Sequence, residues 1–415
     1  MNESLCLLGP AWYFSAPGLA WDATLKITKI RLELLSDLDM LLMIDSGIRG
    51  GIATISHRNA KANNEYMGTE FDPVEEFKFI SYLDANNLYG WAMSKQLPTS
   101  GFKWMTDNGL DDWKHLSCFL EVDLEYPEYL HSLHNDYPLA PERIKRRNVE
   151  KLIPNLNNKT NYFVRYEHLK LYESLGLKIT NRGIKFEVNA WLKEYINSVS
   201  GKTLENIINR IDIRLITSDK VAQKLAPKPI YDCCTTFDKT LIAVHMQKTK
   251  LYFNKPVYLG MSILDLSKSL MYDFHYNYIK TKYFDKAKLP FTDTDSLAYE
   301  ITTKEFYKYI NPNIEKRFDT GDYPTNHPSG MKTGLNSEVL GMLKDEAGGK
   351  QIVEFVGLRA KLHSYKMLDG SEYKKCKGVT KNVMERSIQF DDYRECLFSR
   401  KEQHRKMNVI RSHCH

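Results

Sequence analysis

Phe291-Thr292-Asp293-Thr294-Asp295-Ser296 is the stretch on which the reading of this chain turns. Two carboxylates stand one residue apart, after the apolar Leu289 and Phe291 and just before Leu297. Side chains alternate faces along an extended chain, so the spacing predicts that Asp293 and Asp295 point the same way. Two acids on one face of a hairpin tip repel each other unless cations sit between them. Hard oxygen donors at this spacing suit Mg²⁺ or Mn²⁺ rather than zinc. A bare Asp-x-Asp is otherwise an acidic surface turn. What separates the two readings is another acid far upstream, Asp84, in Tyr82-Leu83-Asp84-Ala85-Asn86-Asn87-Leu88-Tyr89-Gly90.

Both acidic stretches sit at the ends of strand-like runs. Residues 77–84 alternate Phe77, Phe79, Ser81 and Leu83 with Lys78, Ile80 and Tyr82, and end on Asp84. A short helix carrying Leu88, Trp91 and Ala92 is expected next, and residues 289–299 read as a strand and turn. If the two strands are neighbours in one antiparallel sheet, three carboxylates meet at one edge. Such an edge can hold two divalent ions about 4 Å apart, the geometry of in-line phosphoryl displacement. One ion then lowers the pKa of an attacking hydroxyl while the other holds the triphosphate and the leaving pyrophosphate.

Further out, residues 118–126 alternate Cys118, Leu120, Val122 and Leu124 with Glu121, Asp123 and Glu125, a half-buried strand that Pro127 stops. A helix is expected from Ser36, boxed with Asp39 and ended by Gly47. Arg49-Gly50-Gly51 follows, either a loop with two turn glycines or a place where backbone approaches a phosphate. A helix over 166–175, a strand near 177–188 and mostly helix over 190–215 come next. Ile263, Leu266, Leu270, Phe274 and Tyr278 give the clearest helical stripe, over 262–280.

Composition sets the outer bounds. The chain has 415 residues, 42% hydrophobic and 27% charged, enough for ordinary globular cores in two or three domains. Its net charge of +6 is compatible with a polyanionic partner without demanding one. The 25 Tyr, 18 Phe and 6 Trp, often beside Lys or Arg, suit base stacking as well as core packing. Seven cysteines with no Cys-x-x-Cys pair argue against a disulfide framework and for a reducing compartment. No basic n-region opens the chain and no apolar run approaches about 18 residues, so neither secretion nor membrane spanning is expected. An intracellular location, in the nucleus, is the expectation.

Two rivals fall on residue identity. Gly201-Lys202-Thr203 imitates the end of a phosphate-binding P-loop, but the glycine needed five residues earlier is Ile196. A Mn²⁺-dependent Asp-x-Asp glycosyltransferase gives Asp84 and Tyr89 no role.

The motifs together resemble family B DNA polymerases. Asp84-x-x-Asn87-Leu88-Tyr89-Gly90 resembles motif A, Asn197-Ser198-Val199-Ser200-Gly201 motif B, and Phe291 to Ser296 motif C, in the family's order. Leu83 to Met93, Asn254 to Tyr278 and Lys344 to Lys361 look like the protein-primed subgroup of phages, organellar plasmids and Polinton-type transposons. The resemblance implies an α+β right-hand fold: an antiparallel palm sheet with helical fingers and thumb. It implies residues 1–70 as a remnant joining exonuclease to polymerase, 71–127 as palm with motif A, and 128–215 as an insertion and fingers with motif B. Residues 216–344 would be a second insertion and the palm with motif C, and 345–415 the thumb and basic tail.

The implied activity is DNA-directed DNA polymerisation on a primer-template with deoxynucleoside triphosphates, with a terminal protein as a further partner. Asp84 and Asp295 would hold Mg²⁺ or Mn²⁺ with the carbonyl of Ala85, and Asp293 would support them. Leu88, Tyr89, Lys193, Asn197 and Gly201 would shape the nucleotide site, with Tyr89 under the sugar rejecting a 2′-hydroxyl. Arg49, Gly50 and Gly51 resemble the Tyr-x-Gly-Gly template loop, with Ile48 in place of the Tyr. Lys361-Leu362-His363 resembles the Lys-x-Tyr motif at the primer terminus, with His363 for the Tyr, and Ser296 joins these on the DNA side.

Three departures stand out. Ser200 replaces an aromatic residue of motif B. Lys193 falls in register for its lysine, but Trp191 to Ile196 resembles a segment that lies well before motif B in relatives, so a deletion of part of the fingers helix would place Lys193 there by accident. The first Asp-x-Glu, Asp123-Leu124-Glu125, follows motif A, so no proofreading exonuclease is expected. The alternative to an active enzyme is a DNA-binding relic of a mobile element, crippled by the fingers deletion.

Overall fold

The strand expected to end on Asp84 is Lys78–Ala85, with Phe79, Ser81, Leu83 and Ala85 buried on one face and the other face half-buried except at Tyr82. It lies inside a six-stranded sheet of order Ala53–Ile55, Ala287–Asp293, Ser296–Thr302, Lys78–Ala85, Leu343–Asp345 and Phe318–Asp319. Neighbours run antiparallel, except that Phe318–Asp319 pairs in parallel with Leu343–Asp345. This computed structural model describes residues 8–13, 15–105, 113–147, 149–192, 200–204, 212–238, 240–250 and 252–408.

One face of the central sheet rests on a long helix, α-helical over Val257–Tyr272 and π-helical over Asp273–Lys280. Leu83, Leu297 and Tyr299 share a core with Met271, Phe274 and Tyr278. Of the helical stripe read from the sequence, Phe274 and Tyr278 lie in the core beneath this sheet with Leu270 packed against it, Ile263 and Leu266 belong to a neighbouring core, and the helix begins earlier, after Pro256. The His275 imidazole meets the Tyr299 hydroxyl at 3.0 Å, giving one buried polar pair a partner inside this layer.

The other face carries Tyr82, Phe291 and Ala298, packed beneath a second sheet through Phe355 and Tyr365. That sheet orders Glu372–Cys376, Leu362–Met367, Ile352–Arg359 and Asn59–Lys61. Helix Phe390–Phe398 closes its far side on Val356. A third sheet, Leu97–Trp104, Lys178–Leu192, Cys118–Glu125 and Lys159–Arg165, lies to the side of the helix that bears Leu266. A three-stranded sheet of Asp212–Ile216, Leu241–Met246 and Tyr231–Asp238 holds a small core of its own.

Two local expectations change. Helix Leu38–Gly47 is capped by Asp37 rather than Ser36: the Asp37 carboxylate accepts from the amides of Asp39 at 2.9 Å and Met40 at 3.1 Å. Gly47 is needed for space rather than for a turn, since a Cβ there would lie 2.5 Å from Met261 Cε and 2.7 Å from Phe163 Cδ1. The region 190–215 is not mainly helical among its described residues. A strand runs to Leu192, helix is confined to Ser200–Thr203, and Asp212–Ile216 is a strand. Pairing of Lys178–Leu192 with two partners at once outweighs the helical propensity of its end. No described helix is long and apolar enough to cross a membrane.

Candidate active site

Asp293 is the last residue of its strand and pairs directly with Ser296, so the hairpin turn consists of Thr294 and Asp295. This corrects the alternation argument: Asp295 is in the turn and not in an extended chain. The two acids approach through the turn itself, whose Asp295 amide donates to the Asp293 carbonyl at 2.7 Å. Thr294 takes a left-handed φ of 64°, unusual for a β-branched residue. Its amide donates to the Ile52 carbonyl at 2.7 Å. Its side chain lies on Gly51, where a Cβ would stand 2.6 Å from Thr294 Cβ. Gly51 therefore exists to let the hairpin tip seat.

Ser296 faces Asp84 across the neighbouring strand. Its hydroxyl donates to Asp84 Oδ2 at 2.7 Å and reaches Asp295 Oδ1 at 3.5 Å, so one oxygen touches both acids. The Ala85 amide donates to the Asp295 carbonyl at 2.8 Å and locks the two motifs in register. Burial pushes the Asp84 carboxyl up to about 7, helped by the charges of Asp295 and Glu346 and opposed by the Ser296 hydroxyl and by Lys375. Asp295 is also raised, by burial first and by Asp293 as well.

Two residues at this edge are absent from those the sequence singles out. Glu346 lies two positions beyond Lys344, which pairs with Asp84, and its amide donates to the Tyr82 carbonyl at 2.9 Å. It follows the strand directly, its charge raises the Asp84 carboxyl, and its own carboxyl is raised by burial. Lys375 pairs across a hairpin with His363 and its charge lowers both Asp84 and Asp295. Glu346 arrives through its amide bond to Tyr82 and Lys375 by register opposite His363, and neither has a local sequence signal.

The remaining candidates are distributed unevenly. Tyr89 sits on helix Leu88–Met93, capped by the Asn87 side chain, which accepts from the Gly90 amide at 3.1 Å. Its phenol is raised by burial first and by the charge of Asp295. It lines a small cavity with Gly50, Gly51, Leu88, Lys268 and Thr294. Leu88 itself is core. Arg49 is buried: its guanidinium donates to the Phe163 carbonyl at 2.7 Å and lies 3.8 Å over the Tyr162 ring. Any contact this loop makes outside the protein falls to Gly50 and Gly51.

Lys361 Nζ stands 3.6 Å from Asp293 Oδ1, a partly exposed pair of small energetic weight. His363 is 1% exposed and packs 4.1 Å from the Phe291 ring, with no hydrogen-bond partner on either ring nitrogen. Burial holds its pKa down to about 4, so it is neutral. The ring is a wedge between the two sheets rather than a group offered to a cleft. Gly201 is exposed on the short helix Ser200–Thr203. Lys193 and Asn197 lie outside the described residues.

The donor set fits a divalent cation of the magnesium type. Among the described residues no three His, Cys, Asp or Glu side chains form a closed cage. Mg²⁺ characteristically takes one or two carboxylates and completes its shell with water and substrate phosphates. Asp84 and Asp295 supply such a pair of oxygen donors, and burial first, with neighbouring acids, raises both carboxyls.

No protein-family model matches the chain, and no curated protein sequence matches it. Solved structures do. The chain is similar to phi29 DNA polymerase complexed with primer-template DNA and incoming nucleotide substrates, with a TM-score of 0.53 at 14% identity. It is similar to the same polymerase in an orthorhombic crystal form, with a TM-score of 0.53 at 12% identity. Each match covers 92% of this chain and 63% of the polymerase, so the chain spans less than two thirds of the length of the protein it matches. The fold is thus that of a right-hand polymerase, α+β with antiparallel sheets.

Proposed function

We propose that this chain is the polymerase part of a DNA-directed DNA polymerase, adding deoxynucleotides to a primer 3′ end. The observation that carries the reading is the single Ser296 hydroxyl in reach of Asp84 and Asp295, at one edge of a sheet in a polymerase fold. On this reading 71–127 and 216–344 supply the palm, 128–215 an insertion and fingers, and 345–415 the thumb.

Asp84, Asp295 and the Ala85 carbonyl would hold Mg²⁺ or Mn²⁺, with Asp293 beside them. The ions, when bound, supply activation of the primer hydroxyl and neutralisation of the triphosphate. The chain's own residues do the rest. Ser296 orients Asp84 and spaces it from Asp295. Tyr89, fixed on the next turn, excludes a 2′-hydroxyl by occupying its volume. Leu88 packs that turn into the core, while Lys193, Asn197 and Gly201 border the incoming nucleotide. Gly50 and Gly51 offer backbone to the template, and Lys361 reaches toward the primer strand from a hairpin that His363 wedges in place.

The substrates are then deoxynucleoside triphosphates and a DNA primer-template, in replication of a mobile or virus-like element, with a terminal protein as a candidate primer. Template-dependent primer extension tests this directly. The wild-type chain should extend a primer with Mg²⁺, and Asp84→Ala or Asp295→Ala should abolish extension while DNA binding persists. DNA binding by the wild-type chain without extension would instead favour the relic reading.

A further inference from the structure

The turn that follows Asp84 is held from outside its own two neighbouring strands. Asp319 Oδ2 accepts from Asn86 Nδ2 at 2.6 Å and from the Glu338 amide at 2.8 Å. Its other oxygen accepts from the Gly321 amide at 2.7 Å. The carboxylate is buried, so these charge-assisted bonds are shielded from competing water. The Asn86 backbone is tied at both ends as well. Its amide donates to the Met342 carbonyl at 2.9 Å, and its carbonyl accepts from the Gly341 amide at 2.8 Å.

The same segment reaches the helix that carries Tyr89. Gly341 has a φ of 76°, and a Cβ there would stand 2.6 Å from Cγ of Trp91. Asn87, between these contacts, is itself left-handed at φ 38°. An L-residue held in that region needs its surroundings to over-determine it. Here the surroundings are Asp319 and the chain from 338 to 342, which together fix the Asn86 side chain, the Asn86 backbone and the Trp91 ring.

We propose that residues 319–342 form a strap that sets the position of the Ala85–Tyr89 turn, with Asp319 as its anchor. Asp319 is then a positioning residue for two properties at once: the affinity of the acid edge for a divalent ion and the discrimination between ribose and deoxyribose. Both follow because the Ala85 carbonyl and the Tyr89 ring bracket the turn that Asp319 holds. The inference rests on the polymerase reading for these two roles, and on the hydrogen bonds of Asp319 and Asn86 for the strap itself.

The test is a double-mutant cycle in the full chain with Asp319→Asn, Asn86→Ala and the pair together. Asn86→Ala deletes the tie while leaving Asp319 its two backbone donors, so it remains informative if Asp319→Asn folds poorly. Hydrogen exchange of the peptide spanning 83–93 should quicken about tenfold in each single variant, and no further in the double, as for residues acting as one unit. In primer extension the Mg²⁺ concentration for half-maximal rate should rise several-fold and ribonucleotide incorporation should increase several-fold, with primer-template affinity unchanged. A structural weakening elsewhere would lower the rate at all Mg²⁺ concentrations without moving the ribose preference.

Unchanged exchange over 83–93, or effects that add in the double variant, would overturn the strap. Altered exchange with unaltered metal and sugar dependence would overturn the role assigned to Asp319. Failure of the wild-type chain to extend a primer would count against the polymerase reading and with it that role, whereas the exchange cycle would still decide the strap.

Discussion

Replacing Asp84 with Asn should stabilise the metal-free protein above neutral pH while abolishing the primer extension proposed for it. The unfolded chain releases the Asp84 proton near the ordinary carboxyl value of 3.8, whereas the folded chain keeps it until about 7. Between those values the native state binds more protons than the unfolded one, so stability falls as pH rises across that window. A factor of ten in proton affinity is worth about 1.4 kcal/mol, which sets a ceiling near 4 kcal/mol. Asp84 is only half-buried, and solvent screening reduces the expectation to about 2 kcal/mol.

Asn keeps an oxygen to accept the Ser296 hydroxyl, so the substitution removes charge with little change of shape. With a chelator present, thermal unfolding at pH 8 should give Asp84→Asn a midpoint higher than wild type by roughly 2–4 °C. The gap should close toward pH 4. Added Mg²⁺ should raise the wild-type midpoint and leave the variant unmoved. A variant no more stable than wild type at pH 8 without metal, or a gap that widens toward acid, would refute the argument that folding makes the ionised Asp84 carboxylate costly at this edge.

Other outcomes follow from particular contacts. Gly51→Ala forces a methyl onto Thr294 and should cost about 1–3 kcal/mol in denaturant unfolding; Thr294→Gly, which also relieves the left-handed φ, should restore most of it. Lys268→Met leaves the buried Asp265 without its ammonium neighbour at 4.0 Å and should cost about 3–5 kcal/mol, with Asp265→Asn recovering part in the double variant. Tyr89→Val should admit ribonucleotides in a primer-extension assay, and an unchanged ratio of ribo- to deoxynucleotide incorporation would remove Tyr89 from the sugar site. Glu346→Gln removes one of the charges raising Asp84 and should move the lower limb of the pH dependence of metal binding toward acid, as followed by Mn²⁺ titration.

Much of this was legible before any coordinates, for identifiable reasons. Alternation along 77–84 and the stripe from Ile263 to Tyr278 each reflect a single periodicity imposed by burial, and both elements form. The direction in which a side chain points after folding is less accessible. Arg49 and His363 stand in stretches that read as contacts for DNA, yet both are buried, one on a carbonyl and a tyrosine ring, the other among aromatics. No local pattern distinguishes those fates, because the groups that bury them come from Phe163, Tyr162 and Phe291. Glu346 likewise reaches the site beside a strand far away in sequence, at Tyr82, and Asp319 through its bond to Asn86, whereas Lys375 is carried there by the hairpin that sets it opposite His363. The turn at Thr294 and Asp295 misled for a different reason: the hairpin register, set by Asp293 opposite Ser296, decides which acid is in the strand.

The acid edge is secured almost wholly through backbone groups, and that has a chemical consequence. Thr294 is tied by its amide to Ile52, Asp295 by its amide to Asp293 and by its carbonyl to Ala85, and Asn86 by both backbone groups to 341 and 342. Ties of this kind position carboxylates without consuming their oxygens. The Ser296 hydroxyl has one proton to donate and two acids within reach, so it can orient Asp84 but cannot neutralise the pair. Lys361 is too exposed to compensate them, and Lys375 leaves Asp84 still raised to about 7. On the polymerase reading proposed above, acids held by backbone ties with oxygens to spare would suit a cation supplied from solution together with its substrate.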